Sequence, residues 1–158
     1  MKSILTILFV SFISLSLSAQ YGVDNIFRKY KNNKGVVAWQ FEGDIANMLK
    51  TKDGNEIKSS LESVDFVMFI EEGTDISDKD RQELEERIES DKYEVLVQAR
   101  DKGQTLKLMG IQEGDIITKV FAQVSFEKRS AYFFLTGEIY LDDLTNIEFE
   151  SLMQGLKF

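Results

Sequence analysis

A serine three residues ahead of a lysine is the one spacing in this chain that matches a nucleophile to its base. Ser125-Phe126-Glu127-Lys128 has the S-x-x-K form used by serine acyl-transfer enzymes. That chemistry needs both side chains on one helical face. Here the four residues fall at a strand end, where a spacing of three sends side chains to opposite faces. The companion S-D-N and K-T-G patterns are missing, so the motif reads as a strand-to-turn boundary. Carboxylates form the second set. Asp75, Asp78, Asp80 and Glu83 could gather around calcium, which takes carboxylate and carbonyl oxygens, and Asp75, Asp78 and Asp80 would be the groups of a carboxylate-only hydrolase. The D-x-[DN]-x-[DN]-G loop is absent, and Asp78 and Asp80 also read as first-turn acids that complement a helix dipole. Asp142 and Asp143 read the same way, as cap and first-turn residues, and Glu71-Glu72 as a charged strand exit. A solvated face is expected for all of them. The chain has no His and no Cys, which excludes the commonest general base, thiolate nucleophiles and thiolate metal sites. Neither G-x-G-x-x-G nor G-x-x-x-x-G-K-[ST] occurs, so nucleotide binding loses its usual support. This reading assigns no catalytic, cofactor-binding or metal-ligating residue.

The elements that would position these groups follow from periodicity. Ile26, Phe27 and Tyr30 share one face of a short docking helix beginning near Asp24. After Asn32, Asn33 and Gly35, the run Val36-Val37-Ala38-Trp39-Gln40-Phe41 predicts a strand closed by Gly43. Asp44 then caps a helix carrying Ile45, Met48 and Leu49, which Asp53-Gly54-Asn55 ends. Residues 64–70 are nearly all apolar, the mark of a central strand covered on both faces. Ser77-Asp78-Lys79-Asp80 has the form of a capping box and opens a charged surface helix to Ser90, whose apolar stripe is Leu84 and Ile88. In the second half the period becomes two. Tyr93, Val95, Val97 and Ala99 alternate with Glu94, Leu96, Gln98 and Arg100, and Asp101-Lys102-Gly103-Gln104 turns the chain into a strand with Leu106 and Leu108. A loop over 110–115, a long strand over 116–126, a turn at Glu127-Lys128-Arg129-Ser130 and a strand over 132–137 complete a four-strand antiparallel meander. One face of such a meander is usually packed while the other meets water. Asp142 is expected to cap a last helix with Leu144 and Ile147, leaving Leu141 just outside. The aromatic residues Tyr132, Phe133, Phe134 and Tyr140 read as core packing rather than as a binding surface. Helices segregated against a mostly antiparallel sheet define an α+β domain, with the C-terminal meander packed by three to four helices.

Lys2, an apolar run over 4–17 broken by serines, and the exit Ser18-Ala19-Gln20 follow the plan of a cleavable secretory leader. Cleavage is expected between Ala19 and Gln20, with a cut after Ser18 as the alternative, leaving one domain over 20–158. With no cysteine the product is not a lipoprotein. No later run is long enough to span a bilayer, so no membrane insertion is expected after cleavage, and the location is periplasmic or secreted. Losing the leader removes Lys2 and makes an already negative net charge of −8 one unit more negative. Such an acidic surface excludes nucleic acid and anionic lipid as electrostatic partners and favours basic proteins or cations. Packing alone must hold the fold, since there are no disulfides to help. Proline is also absent.

Three stretches carry a family resemblance. Phe27-Arg28-Lys29-Tyr30 followed by Gly35-Val36-Val37, the run Tyr93-Glu94-Val95-Leu96-Val97-Gln98-Ala99-Arg100-Asp101-Lys102-Gly103, and Leu135-Thr136-Gly137-Glu138-Ile139-Tyr140-Leu141-Asp142-Asp143-Leu144 resemble the DUF4252 family over about residues 21–150. The resemblance implies an exported bacterial protein, mainly of the Bacteroidota, with a single α+β domain, and it assigns no site residue. The functional expectation is a non-enzymatic envelope protein. It would act as a binding or regulatory domain that offers its sheet or the helix over 77–90 to another envelope protein, with no cofactor. The alternatives are the carboxylate-only hydrolase and a homo-oligomeric structural component.

Overall fold

The structure is a computed structural model that describes residues 22–43, 57–126 and 128–146. The expected leader, the helix expected after Asp44, Glu127 and the helical position of Ile147 lie outside those residues. Among the described residues the chain runs α1 (Asp24–Arg28), β1 (Val36–Glu42), β2 (Ser60–Phe69), α2 (Asp78–Ser90), β3 (Glu94–Asp101), β4 (Gln104–Glu113), β5 (Ile116–Phe126), β6 (Arg129–Ile139) and α3 (Leu141–Asn146). The strands form one sheet in the order β1-β2-β6-β5-β4-β3, and every adjacent pair is antiparallel. The α+β class and the predominance of antiparallel sheet therefore stand. β3 to β6 form the expected meander, and β2 extends it by pairing with β6, which places β2 inside the sheet.

Two-residue turns explain the meander's close connections. Lys102 and Gly103, between β3 and β4, both have positive φ (44° and 85°), the backbone twist that suits a hairpin with right-handed strands. Gly110 does not open a loop. β4 continues through it to Glu113, and the turn falls at Gly114 (φ 65°) and Asp115, with Glu113 paired to Ile116. At Gly110 the missing side chain permits close approach instead: a Cβ there would lie 2.7 Å from Leu96 Cδ1 and 2.8 Å from Ile117 Cγ2. The strict alternation expected in β3 also fails. A register shift between Val95 and Val97 pairs Val95 with Met109 but Val97 with Leu108. Met109 belongs to the cluster under the helices and Leu108 to the opposite one, so the bulge moves Val95 away from Val97's face and leaves it exposed.

Both faces of the central strands are buried: the cover on both faces expected for β2 is found, and it extends into the meander, where one wetted face is expected. One face carries Val67, Phe69, Met109, Phe121, Tyr132 and Phe134, covered by Val23, Ile26 and Phe27 of the α1 region and by Ile76 and Leu84. Phe27 anchors this layer, its ring centroid 4.6 Å from Tyr132 and 4.9 Å from Phe134. This is the docking expected of a short amphipathic segment. The opposite face holds two clusters: Leu61, Val64, Ile117, Val120, Leu135 and Ile139 with Leu144 of α3, and Phe66, Met68, Leu108, Ala122, Val124, Ala131 and Phe133. The aromatic run of β6 divides between the two faces and is core, as expected, whereas Tyr140 beyond its end is exposed. Ile70, expected within β2, is also exposed and follows the strand's last residue, Phe69.

Candidate functional site

Ser77 caps α2, and the cap holds more than the four-residue motif suggests. Its Oγ accepts from the Asp80 backbone N–H (3.2 Å) and donates to Asp80 Oδ2 (2.6 Å). In an ordinary capping box the acid reaches back to the cap residue's own N–H. Here that N–H donates instead to the Tyr30 hydroxyl at 2.9 Å, and the hydroxyl donates onward to Asp80 Oδ2. Lys29 Nζ closes the group by pairing with Asp80 Oδ1. Asp80, expected as a solvated first-turn acid, is therefore buried, with 2% of its surface exposed. Burial pushes its carboxyl up, but the hydrogen bonds from Lys29, Ser77 and Tyr30 outweigh burial and hold it at about 2. Lys29 is raised in turn, first by its bond to Asp80.

Asp75 forms a second group one turn of chain earlier. Its Oδ1 accepts from the Tyr132 hydroxyl (2.6 Å) and the Ile76 N–H (2.8 Å), and its Oδ2 accepts from Arg81 Nη2 (2.8 Å). Burial, then the bond to Asp75, pushes the Tyr132 phenol far up, and the same carboxylate raises Arg81. Tyr132 thus ties β6 to the entry of α2. At the other end of α2 the chain leaves through Lys92 in the left-handed region (φ 61°). The Lys92 N–H bonds Glu89 O and the Tyr93 N–H bonds Ile88 O, the hydrogen-bond pair of a Schellman stop with lysine where glycine is usual. Burial, with Asp91 and Asp24 nearby, raises the Tyr93 phenol to about 12.

The acidic residues expected as a calcium cluster are thus separated. Asp75 and Asp80 each satisfy their own basic partner, and Asp78 and Glu83 stay at the surface. Among the described residues no three acidic side chains converge on a point. Ser125 and Lys128 are not joined either: Ser125 sits in β5 opposite Ser130, and Lys128, left-handed in the turn, reaches Glu72 in an exposed ion pair. Asp142 does not cap the last helix. α3 begins one residue before it, at Leu141, and the Tyr140 carbonyl takes the N–H groups of Asp143 and Leu144. Asp143, also expected at a solvated face, is buried and accepts from both the Ser59 N–H (2.7 Å) and the Ser59 Oγ (2.6 Å). Ser59 Oγ accepts from the Tyr140 N–H in turn (2.9 Å). The residues missed by sequence reasoning, Lys29, Tyr30, Ser59 and Arg81, act through partners whose spacing carries no local signal, except Arg81, which lies six positions from Asp75.

What remains outward on α2 is a charged surface. Lys79, Gln82, Glu83, Glu86, Arg87 and Ser90 line an open groove of about 580 Å³, where Gln82 Nε2 donates to Glu86 Oε1 at 2.9 Å. Small-molecule sites are mostly enclosed and apolar. This groove is instead open and walled by one helix's charged and polar side chains.

An antiparallel six-stranded sheet with α1 and the charged, outward-facing α2 over one face places this chain among small α+β domains whose polar clusters secure the fold. The particular family is given by sequence: the chain belongs to the DUF4252 family, a domain of unknown function, matched over residues 30–147 of the 158. No curated protein and no solved structure matches it.

Proposed function

We propose that this is an exported, non-enzymatic binding domain of the bacterial envelope that presents the outer face of α2 to a protein partner. The observation that carries this reading is the contrast on that helix. Its inward side is fixed by Asp80, Leu84 and Ile88, while its outward side keeps six polar and charged residues free of the core. A rigidly mounted helix with a solvated, mixed-charge face suits recognition by charge complementarity. Export rests on the leader-like residues 1–19, and among the described residues no helix is long and apolar enough to cross a membrane. The hydrolase reading draws no support from Asp75 and Asp80, whose oxygens are taken by Arg81, Tyr132, Lys29, Tyr30 and Ser77.

A native pull-down tests the proposal, using tagged protein lacking residues 1–19 against envelope extract at low and high salt, beside the variant Glu83→Lys/Glu86→Lys. One protein retained near stoichiometry at both salts by the parent, and lost by the variant, supports it. Retention only at low salt, by parent and variant alike, indicates nonspecific attraction to the acidic surface, and that result or no retention overturns it. Capture of the chain by itself, with light scattering showing an oligomer, would favour the structural-component reading instead.

A further inference from the structure

β3 ends the sheet on one side, and among the described residues only β4 pairs with it. Six of its eight residues are exposed, and Val95 keeps 55% of its surface in water. A strand at a sheet edge carries a row of backbone N–H and C=O groups that a second chain can pair with, and proteins commonly block such rows with lysine, proline or a bulge. β3 has no lysine and no proline, and its charges, Glu94, Arg100 and Asp101, stand at its two ends. The five residues between them, Val95 to Ala99, are uncharged and include two valines and a leucine, the composition that favours strand-to-strand association.

The bulge alone interrupts that stretch. Register passes from Val95 opposite Met109 to Val97 opposite Leu108, so Leu96 has no residue opposite it. Leu96 and Val97 both pack against the cluster that holds Leu108, while Met109 belongs to the other face. Two consecutive side chains on one face put the outward backbone groups out of step at that point. A straight incoming strand can follow the row on one side of the bulge or on the other, and the longer side, Val97 to Asp101, offers only five residues. The bulge is also held in place. A Cβ on Gly110 would come within 2.7 Å of Leu96 Cδ1, so the extra residue lies over the one position of β4 that has no side chain.

We propose that the Leu96 bulge is an edge guard, which stops β3 from pairing with the β3 of a second copy and extending the sheet from one molecule to the next. The proposal goes beyond the α2 reading and uses none of its residues, so each can fail alone.

Light scattering over a concentration series tests it on the chain over 20–158. The parent and parent Val95→Lys are compared with a variant lacking Leu96, with that deletion carrying Val95→Lys, and with Glu94→Thr/Asp101→Thr, which keeps the bulge and removes the acids at the strand's ends. A cooperative urea transition establishes that each protein is folded. The deletion is expected to reach the mass of a dimer or more as concentration rises, Val95→Lys to return it to the parent's mass, and the threonine pair to match the parent. A folded deletion variant that keeps the parent's mass overturns the proposal, as does association that Val95→Lys leaves unchanged. A parent that associates and is dispersed by Val95→Lys overturns it too, because the guarded edge would then be open. If the deletion does not fold, the threonine pair decides: the parent's mass supports the bulge as the guard, and a higher mass assigns that task to the charges and overturns the proposal.

Discussion

At the residue scale the carboxylates that look most like chemistry work as clips. Asp80 and Asp143 are each buried and each take a serine hydroxyl, from Ser77 and Ser59. Neither role is visible in local sequence. The motif Ser77-Asp78-Lys79-Asp80 announces a cap, but nothing in it announces Tyr30 and Lys29, which lie 50 and 51 positions before Asp80. Spacing rules report neighbours on one element, whereas these contacts exist only after α1 has docked beside α2. The Asp80 carboxyl, held at about 2 in the fold against about 3.9 in an unfolded chain, supplies stability above the unfolded value that is lost as pH falls from about 4 to about 2. The contribution is at most about 2 kcal/mol, because the Lys29 side chain is half exposed and its share is screened. In urea titrations across that range, Asp80→Asn should be less stable than the parent at pH 7, and the gap should narrow by pH 2. An unchanged gap would mean that the carboxylate's charge is not what the cluster uses. Asp143→Ala removes the acceptor of a buried N–H and hydroxyl and should cost about 1–3 kcal/mol by the same titration, while Asp142→Ala, at an exposed position, should be near neutral.

At the element scale the outline was readable and its fine structure was not. The strands of the meander follow from β-branched and aromatic runs, and the Leu84–Ile88 stripe of α2 from its period. The departures occur where one backbone must pass close to another. Gly110 looked like a loop signal because glycine serves turns and close approaches alike, and only the Leu96 and Ile117 side chains on either side decide which. The bulge in β3 has no residue signature at all. Gly137 is the strongest such position: with φ 147°, a Cβ would stand 2.1 Å from the Ser60 carbonyl oxygen. Gly137→Ala should therefore cost about 3 kcal/mol or prevent folding, seen as a lower urea midpoint or loss of the far-ultraviolet strand signal. Lys92 offers the opposite change. Replacing a left-handed lysine by glycine at the stop of α2 should stabilise by about 0.5–1 kcal/mol, the relief of the left-handed conformation exceeding the added chain entropy. The expected readout is a rise in Tm of a few degrees, and a fall would show that the Lys92 side chain does more than end a helix.

For the whole molecule, composition sets limits that the fold respects. A chain with neither cysteine nor proline is held by two apolar layers on one sheet, and its refolding has no disulfide or prolyl step to wait for. Refolding from urea should lack a phase of tens of seconds, and adding a prolyl isomerase should change nothing. The α+β class was legible because strand and helix periods alternate clearly along the chain. Burial of both sheet faces was legible in β2, whose continuous apolar run shows it, and in the aromatic run of β6, but not in the rest of the meander, where polar residues at strand ends imitate a wetted face. The pairing of β2 with β6 brings residues 60–69 against residues 130–138, across the entire meander. That seam divides the sheet into an N-terminal hairpin and a four-strand unit that forms from neighbouring segments alone. Each presents an edge that the other completes, so a nick in the exposed link at Glu71, Glu72 and Gly73 would leave two fragments with matching edges and matching halves of the Lys29–Asp80 clip, able to recognise each other as a split protein does.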